Sequence, residues 1–141
     1  MTRQRLRIAA TVCMLFSIAF AAIGQSEGGL RRYALFIGSN DGGPNRVRLA
    51  YAATDAIGLA QVMNEMGGVN ESDTVLLTDP DPAAVLRSFN QIRQSIELGK
   101  SGSRRVEFLL YYSGHADETG ILLGGDRLDY RRLRDNVINP E

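Results

Sequence analysis

The chain holds one cysteine, Cys13, and one histidine, His115, in 141 residues. A lone thiol excludes an intrachain disulfide, and the pair cannot supply a zinc cluster of cysteine and histidine ligands. An excess of either charge is also missing, with 16 basic residues against 16 acidic ones. Three of the 16 basic residues, Arg3, Arg5 and Arg7, precede an apolar N-terminal stretch, which leaves 13 against 16 acidic residues. The body is therefore mildly acidic. No clustered basic face is visible, so a nucleic-acid partner is not expected. Disorder is not indicated either, because 44% hydrophobic and 23% charged residues are ordinary for a globular chain. The length allows one domain, and no internal repeat is visible.

What is present begins with an export signal. Thr2 to Arg7 forms a basic segment, and Ile8 to Ala22 an apolar one broken by Thr11 and Ser17. Ala22-Ile23-Gly24 supplies small residues at the cleavage-determining positions, which makes residues 1–24 a signal peptide and Gln25 the new N-terminus. The run is shorter than the roughly 20 residues of a spanning helix. An exported protein, periplasmic or extracellular, is expected, with membrane attachment only through an uncleaved signal. Cys13 lacks a lipobox, so lipidation is not expected.

Residues 25–30 are polar and glycine-rich, a linker. The domain then occupies residues 31–141. Tyr33 to Ile37 is a continuous apolar run between charge and glycine, the pattern of a strand covered on both faces. Gly38 to Asn45 carries dense loop signals. Leu49 to Met66 reads as a helix, with Leu49, Ala52, Ala53, Ala56, Ala60 and Met63 on one stripe and Gly67-Gly68 as its stop. Thr74 to Thr78 is a second strand. Asp81 serves as an N-cap with Pro82 in the first helical position, and this helix runs to about Leu98 on a stripe of Val85, Leu86, Phe89, Ile92 and Ile96. A polar loop over Lys100 to Arg105 leads to the strand Val106 to Tyr112. Ile121 to Leu123 is a small strand, Gly124-Gly125-Asp126 a turn, and Tyr130 to Val137 a helical start. Strands alternating with helices imply a parallel sheet with right-handed crossovers, an α/β three-layer sandwich. Such a sheet needs further strands, so the sequence reads as truncated at its C-terminus.

The chemistry converges on Tyr111-Tyr112-Ser113-Gly114-His115-Ala116. An apolar strand ends at a glycine, which permits a sharp turn, and at the only imidazole in the chain. Open α/β sheets keep their chemistry in the crevice outside the strand carboxyl ends. Imidazole is also the side chain best suited to moving a proton near neutral pH. From position alone, a surface or hydrogen-bonded structural histidine remains the competing reading.

This block, with the Tyr33–Gly38 strand, the Asn40-Asp41-Gly42 loop, the helix segment Leu49 to Ala56 and the Leu76-Leu77-Thr78 strand, resembles the caspase and metacaspase superfamily of cysteine peptidases in its bacterial, exported form. The resemblance implies a caspase-like fold and hydrolysis of polypeptides. It implies that His115 is the catalytic histidine and that the Ala116 N–H is an oxyanion donor, although the family more often has glycine there. Asp55 and Ser113 match residues that line the pocket for the side chain before the cut bond, which implies arginine or lysine in the substrate. For Asp55 the competing reading is a bond to a nearby loop. Caspases proper hold aspartate with an arginine whose aligned position here is Leu49; Arg46 and Arg48 are neighbours without a clear match.

The nucleophile departs from the pattern. The family's cysteine lies in an Asp-x-Cys block on the next strand, and the sequence through Glu141 has none. Cys13 lies in the export segment and cannot substitute. Ser39 and Ser113 lack a recognisable third group. The chain as written is therefore expected to be inert, as the histidine-bearing part of an endopeptidase whose cysteine lies beyond residue 141. The alternative is a non-catalytic caspase-like interaction module. A receiver-like or flavodoxin-like domain would share the sheet but would leave His115 without a purpose. Cofactors are not expected. For Asp79 and Asp81 the resemblance also offers calcium, as in some metacaspases, but a proline-separated aspartate pair reads first as turn chemistry. The glycine-rich segment 38–43 lacks a P-loop lysine and reads as a plain loop. Arg131, Arg132 and Arg134 read as a solvated helix face. The oligomeric state is not legible.

Overall fold

A strand whose side chains are apolar on both faces must lie at the centre of its sheet, and residues 33–39 are all buried. This strand, β1 (Leu30–Ser39), is the middle of three in the computed structural model, which describes residues 29–99 and 105–138. It pairs in parallel with β2 (Val69–Thr78) on one side and with β3 (Arg105–Gly114) on the other. Helices α1 (Ala52–Glu65) and α2 (Pro82–Gly99) make the crossovers. A β4–β5 hairpin (Gly120–Leu123 and Asp126–Asp129) and α3 (Tyr130–Ile138) follow. The signal peptide, Cys13, most of the linker, the loop at 100–104 and residues 139–141 lie outside the described residues. Among the described residues, no helix is long and apolar enough to cross a membrane.

The period of two along β1 divides the core. Tyr33, Leu35 and Ile37 pack with Val85, Phe89 and Ile92 of α2 and with Ile121, Leu123, Leu128 and Leu133. Ala34 and Phe36 pack with Ala56 and Ala60 of α1 and with Val69. The sheet is thus covered on both faces, the three-layer α/β architecture expected from the alternation of elements. Gly38 on β1 permits the close approach of α1: a methyl there would fall 2.4 Å from the Ala52 carbonyl oxygen. Asp81 caps α2 as expected, its Oδ1 accepting the Ala84 N–H at 2.6 Å.

Four local expectations change. The first helix starts at Ala52 rather than Leu49: Tyr51, at φ −125°, is its N-cap, and Leu49 lies before it with its N–H on the Asn40 carbonyl. The second strand is longer than Thr74–Thr78: Val69 already pairs with Arg32, and the register then slips before Thr74 joins Ala34. Asp126–Asp129 forms a strand, whereas its polar sequence gave no strand signal. Gly114 has no positive φ and continues β3, so its sharp turn is absent. Its missing side chain matters for space instead, since a methyl there would lie 2.3 Å from the Tyr112 hydroxyl oxygen and 3.0 Å from the Ser39 carbonyl.

Candidate active site

Parallel pairing brings the carboxyl ends of β1 and β3 together, with Ser39 opposite Gly114. The residues that follow, Asn40 and His115, therefore leave the sheet side by side. Asn40 organises the first of these loops. Its N–H donates to Asp79 Oδ1 at 2.6 Å, its carbonyl accepts the Leu49 N–H at 2.8 Å, and its Oδ1 accepts the Ala53 N–H at 3.1 Å. The last bond caps α1 from outside the helix, whose own N-cap residue, Tyr51, makes no side-chain cap. Asp79, at φ 46°, also takes the Arg48 guanidinium at 3.0 Å.

The loop so anchored packs against His115, which follows β3. A methyl on Gly42 would sit 2.3 Å from His115 Cδ2 and 2.8 Å from Arg46 Cδ, so the imidazole lies directly against a side-chain-free stretch of backbone. Nε2 of His115 lies 2.9 Å from the Val47 carbonyl oxygen. A carbonyl only accepts, so Nε2 carries the hydrogen and the neutral ring has its lone pair on Nδ1. The ring is partly buried, neither walled into the core nor fully solvated.

After His115 the chain enters a tight hairpin. Asp117 N–H donates to Gly120 O at 2.9 Å and Leu122 N–H to His115 O at 2.8 Å. These bonds flank the antiparallel pair Ala116 and Ile121, which is therefore the non-hydrogen-bonded kind. The Ala116 N–H points away from the hairpin ladder and has no acceptor among the described residues. The turn itself is held by Asp117, whose carboxylate accepts the N–H groups of Thr119 and Gly120 and the Thr119 hydroxyl, and pairs with Arg127. The backbone and hydroxyl of Thr119 lead in holding that carboxyl far below the usual carboxylate range.

Ser113 alternates with Tyr112 along β3 and shares the α1 face with Leu109 and Tyr111. Asp55 is exposed in the first turn of α1, at the same end of the sheet. Neither side chain has a hydrogen-bond partner among the described residues, so the expected alternative for Asp55, a bond to a nearby loop, is not seen there. No hydrogen bond or ion pair among the described residues joins Asp55 to His115 or Ser113. Ser39 is fully buried and donates to the Asp41 carbonyl, which removes it as a nucleophile. Asp79 and Asp81 are engaged by Asn40, Arg48 and Ala84, and among the described residues no cluster of three metal-ligating side chains forms. Arg131, Arg132 and Arg134 are exposed, as their spacing predicts.

Sequence reasoning missed three contributors. The Val47 carbonyl has no side-chain signal. Gly42 looked like ordinary loop glycine. The role of Asn40 had one clue: a helix start without Ser, Thr, Asp or Asn at its own N-cap must find a partner elsewhere.

No curated protein and no solved structure matches the chain. A family model described as caspase domain matches residues 31–134, which takes in both sheet-end loops and the His115 hairpin. The chain therefore belongs to the caspase domain family, a caspase-like group of peptidases acting on polypeptides.

Proposed function

We propose that this chain supplies the histidine-bearing part of a cysteine-type endopeptidase, with the thiolate contributed from outside residues 1–141. The observation that carries the reading is the state of His115: Nε2 is committed to a backbone carbonyl, which reserves Nδ1 for exchange with a reacting group. In this reading Nδ1 takes the thiol proton, and the thiolate attacks the scissile carbonyl carbon. The imidazolium then returns a proton to the departing amine as the C–N bond breaks, and water hydrolyses the thioester. The unclaimed Ala116 N–H stabilises the oxyanion that forms between these steps. Asp55 and Ser113, unpartnered at the same sheet end, receive an arginine or lysine side chain before the cut bond. Export to the periplasm or beyond follows from the N-terminal segment.

The test begins at the genomic locus, where an Asp-x-Cys block is expected within about two dozen residues after codon 141, a helix-plus-strand spacing. The protein carrying that block should cleave Arg- and Lys-containing peptides. Substituting its cysteine and His115→Ala should each remove the activity to a similar extent. Activity that survives His115→Ala rejects the dyad, and absence of the block favours the non-catalytic interaction module.

A further inference from the structure

The alternation of β3 sends Tyr112 to the face packed by α2 and the β4–β5 hairpin, where its ring joins the larger core cluster. Its hydroxyl oxygen lies 2.7 Å from the His115 carbonyl and 2.8 Å from the Leu122 carbonyl. The His115 carbonyl also accepts the Leu122 N–H at 2.8 Å. The phenol has one proton for two carbonyl acceptors, so it bridges the His115 and Leu122 carbonyls and reinforces the strand bond that already holds the His115 oxygen. Among the described residues no cis peptide bond occurs. In a planar trans peptide the C=O and the following N–H point in opposite directions. Fixing the His115 oxygen toward Tyr112 thus fixes the Ala116 N–H on the opposite side.

Gly114 provides independent support. A side chain there would collide with the Tyr112 hydroxyl, at 2.3 Å from its oxygen and 2.5 Å from Cζ. The glycine before the histidine is needed for the phenol to cross the strand, because it adopts no backbone angle that demands glycine. Ser113-Gly114-His115 and Tyr112 form one unit.

We propose that Tyr112 is a positioning residue: its hydroxyl holds the His115–Ala116 peptide so that the Ala116 N–H faces the reacting carbonyl and His115 keeps its setting on Gly42. The chemical meaning of this clamp rests on the peptidase reading; the clamp itself does not. The experiment therefore has two arms. In the full chain, two-dimensional NMR reads the Ala116 amide and the imidazole nitrogens, whose signals belong to a single histidine. Tyr112→Phe should shift the Ala116 amide, speed by roughly tenfold or more the hydrogen exchange of the Leu122 amide, which donates to the His115 carbonyl, and mix the imidazole tautomers, leaving the β1 amides unmoved. Gly114→Ala, which pushes the phenol aside without removing it and also crowds the Ser39 carbonyl, should give the same changes at His115, Ala116 and Leu122 with any further shift confined to the end of β1, and the double variant should add little. This second variant keeps the test open if Tyr112→Phe folds poorly. In the cysteine-bearing protein, Tyr112→Phe should lower kcat by about 10–100-fold with KM nearly unchanged. Unaltered Ala116 and His115 signals in both variants overturn the clamp whatever the activity. A kcat loss that tracks only the folded fraction overturns it too. Absence of cleavage in the parent protein strikes the peptidase reading and leaves the NMR arm standing.

Discussion

Gly42 is the residue on which the imidazole rests, and its missing side chain is worth more than its backbone freedom. Gly42→Ala would drive a methyl into the His115 ring and break the contact of Nε2 with Val47. Misplacing a reacting group by about 1 Å costs on the order of 100-fold in rate. A loss of about that size is expected in the cysteine-bearing protein, together with a drop of about 1–3 kcal/mol in unfolding free energy, because Gly42 is buried and the added methyl overpacks the contact. Comparison of kcat with the denaturation midpoint checks both. Tyr112 carries a second residue-scale expectation. Burial leads in pushing its phenol up to about 12. The folded state therefore holds this proton more tightly than the unfolded chain, whose tyrosines titrate near pH 10. The stability linked to Tyr112 is complete below about pH 10 and declines as pH rises toward 12. Alkaline denaturation should show that decline in the parent and less of it in Tyr112→Phe.

At the scale of elements, α2 and the irregular start of β2 depend on single carboxylates. Asp81→Ala removes the cap of α2 and should cost about 1 kcal/mol, read by urea unfolding with an unchanged slope. Asp73, only 4% exposed, accepts two bonds from the Arg31 guanidinium at 2.8 and 2.9 Å, and that cation also sits over the Tyr33 ring. The hydrogen bonds from Arg31 are the first cause of the lowered Asp73 pKa. A carboxyl depressed in the folded state adds stability above its unfolded pKa, near 4, and loses it as pH falls through the folded value. Asp73→Asn should flatten this acid limb, as a pH series of denaturation midpoints would show. The pair also explains the register slip: the chain between Val69 and Thr74 detours to bring a buried carboxylate against β1. No periodicity in Asn70-Glu71-Ser72-Asp73 announces that detour.

For the whole molecule the contrast is between β1 and β3. β1 is paired on both sides, whereas β3 has one strand neighbour among the described residues and its residues 106–114 are only partly buried. Apolar side chains flank its other edge on both faces, Phe108 beside Phe89 and Ile92, and Leu109 beside Met63. Amide exchange should divide accordingly. Tyr33 to Ile37 should exchange slowest, near the global limit, and alternate amides of β3 should exchange at least about tenfold faster. Uniform protection across both strands would contradict this sheet order. His115 thus stands at the end of a strand with one neighbour among the described residues, with its setting supplied by the loop after the central one.

The apolar runs, the alanine stripe and the Asp81-Pro82 start were legible because they are local: each follows from a period or a cap written in consecutive residues. The alternation of strands and helices then dictated parallel pairing and two covered faces. The position of His115 at a strand end was legible for the same reason. The setting of its ring was not, because the groups that touch it lie far away along the chain. The Val47 carbonyl is 68 residues distant, Gly42 has no side chain to notice, and the Ala116 N–H gains its direction from the pairing of a later strand. Sequence determined which segments bury their side chains, and tertiary structure alone decided which backbone groups meet the imidazole. Burial depends on the pattern of side chains, whereas a backbone carbonyl or N–H is the same in almost every residue until the fold points it somewhere.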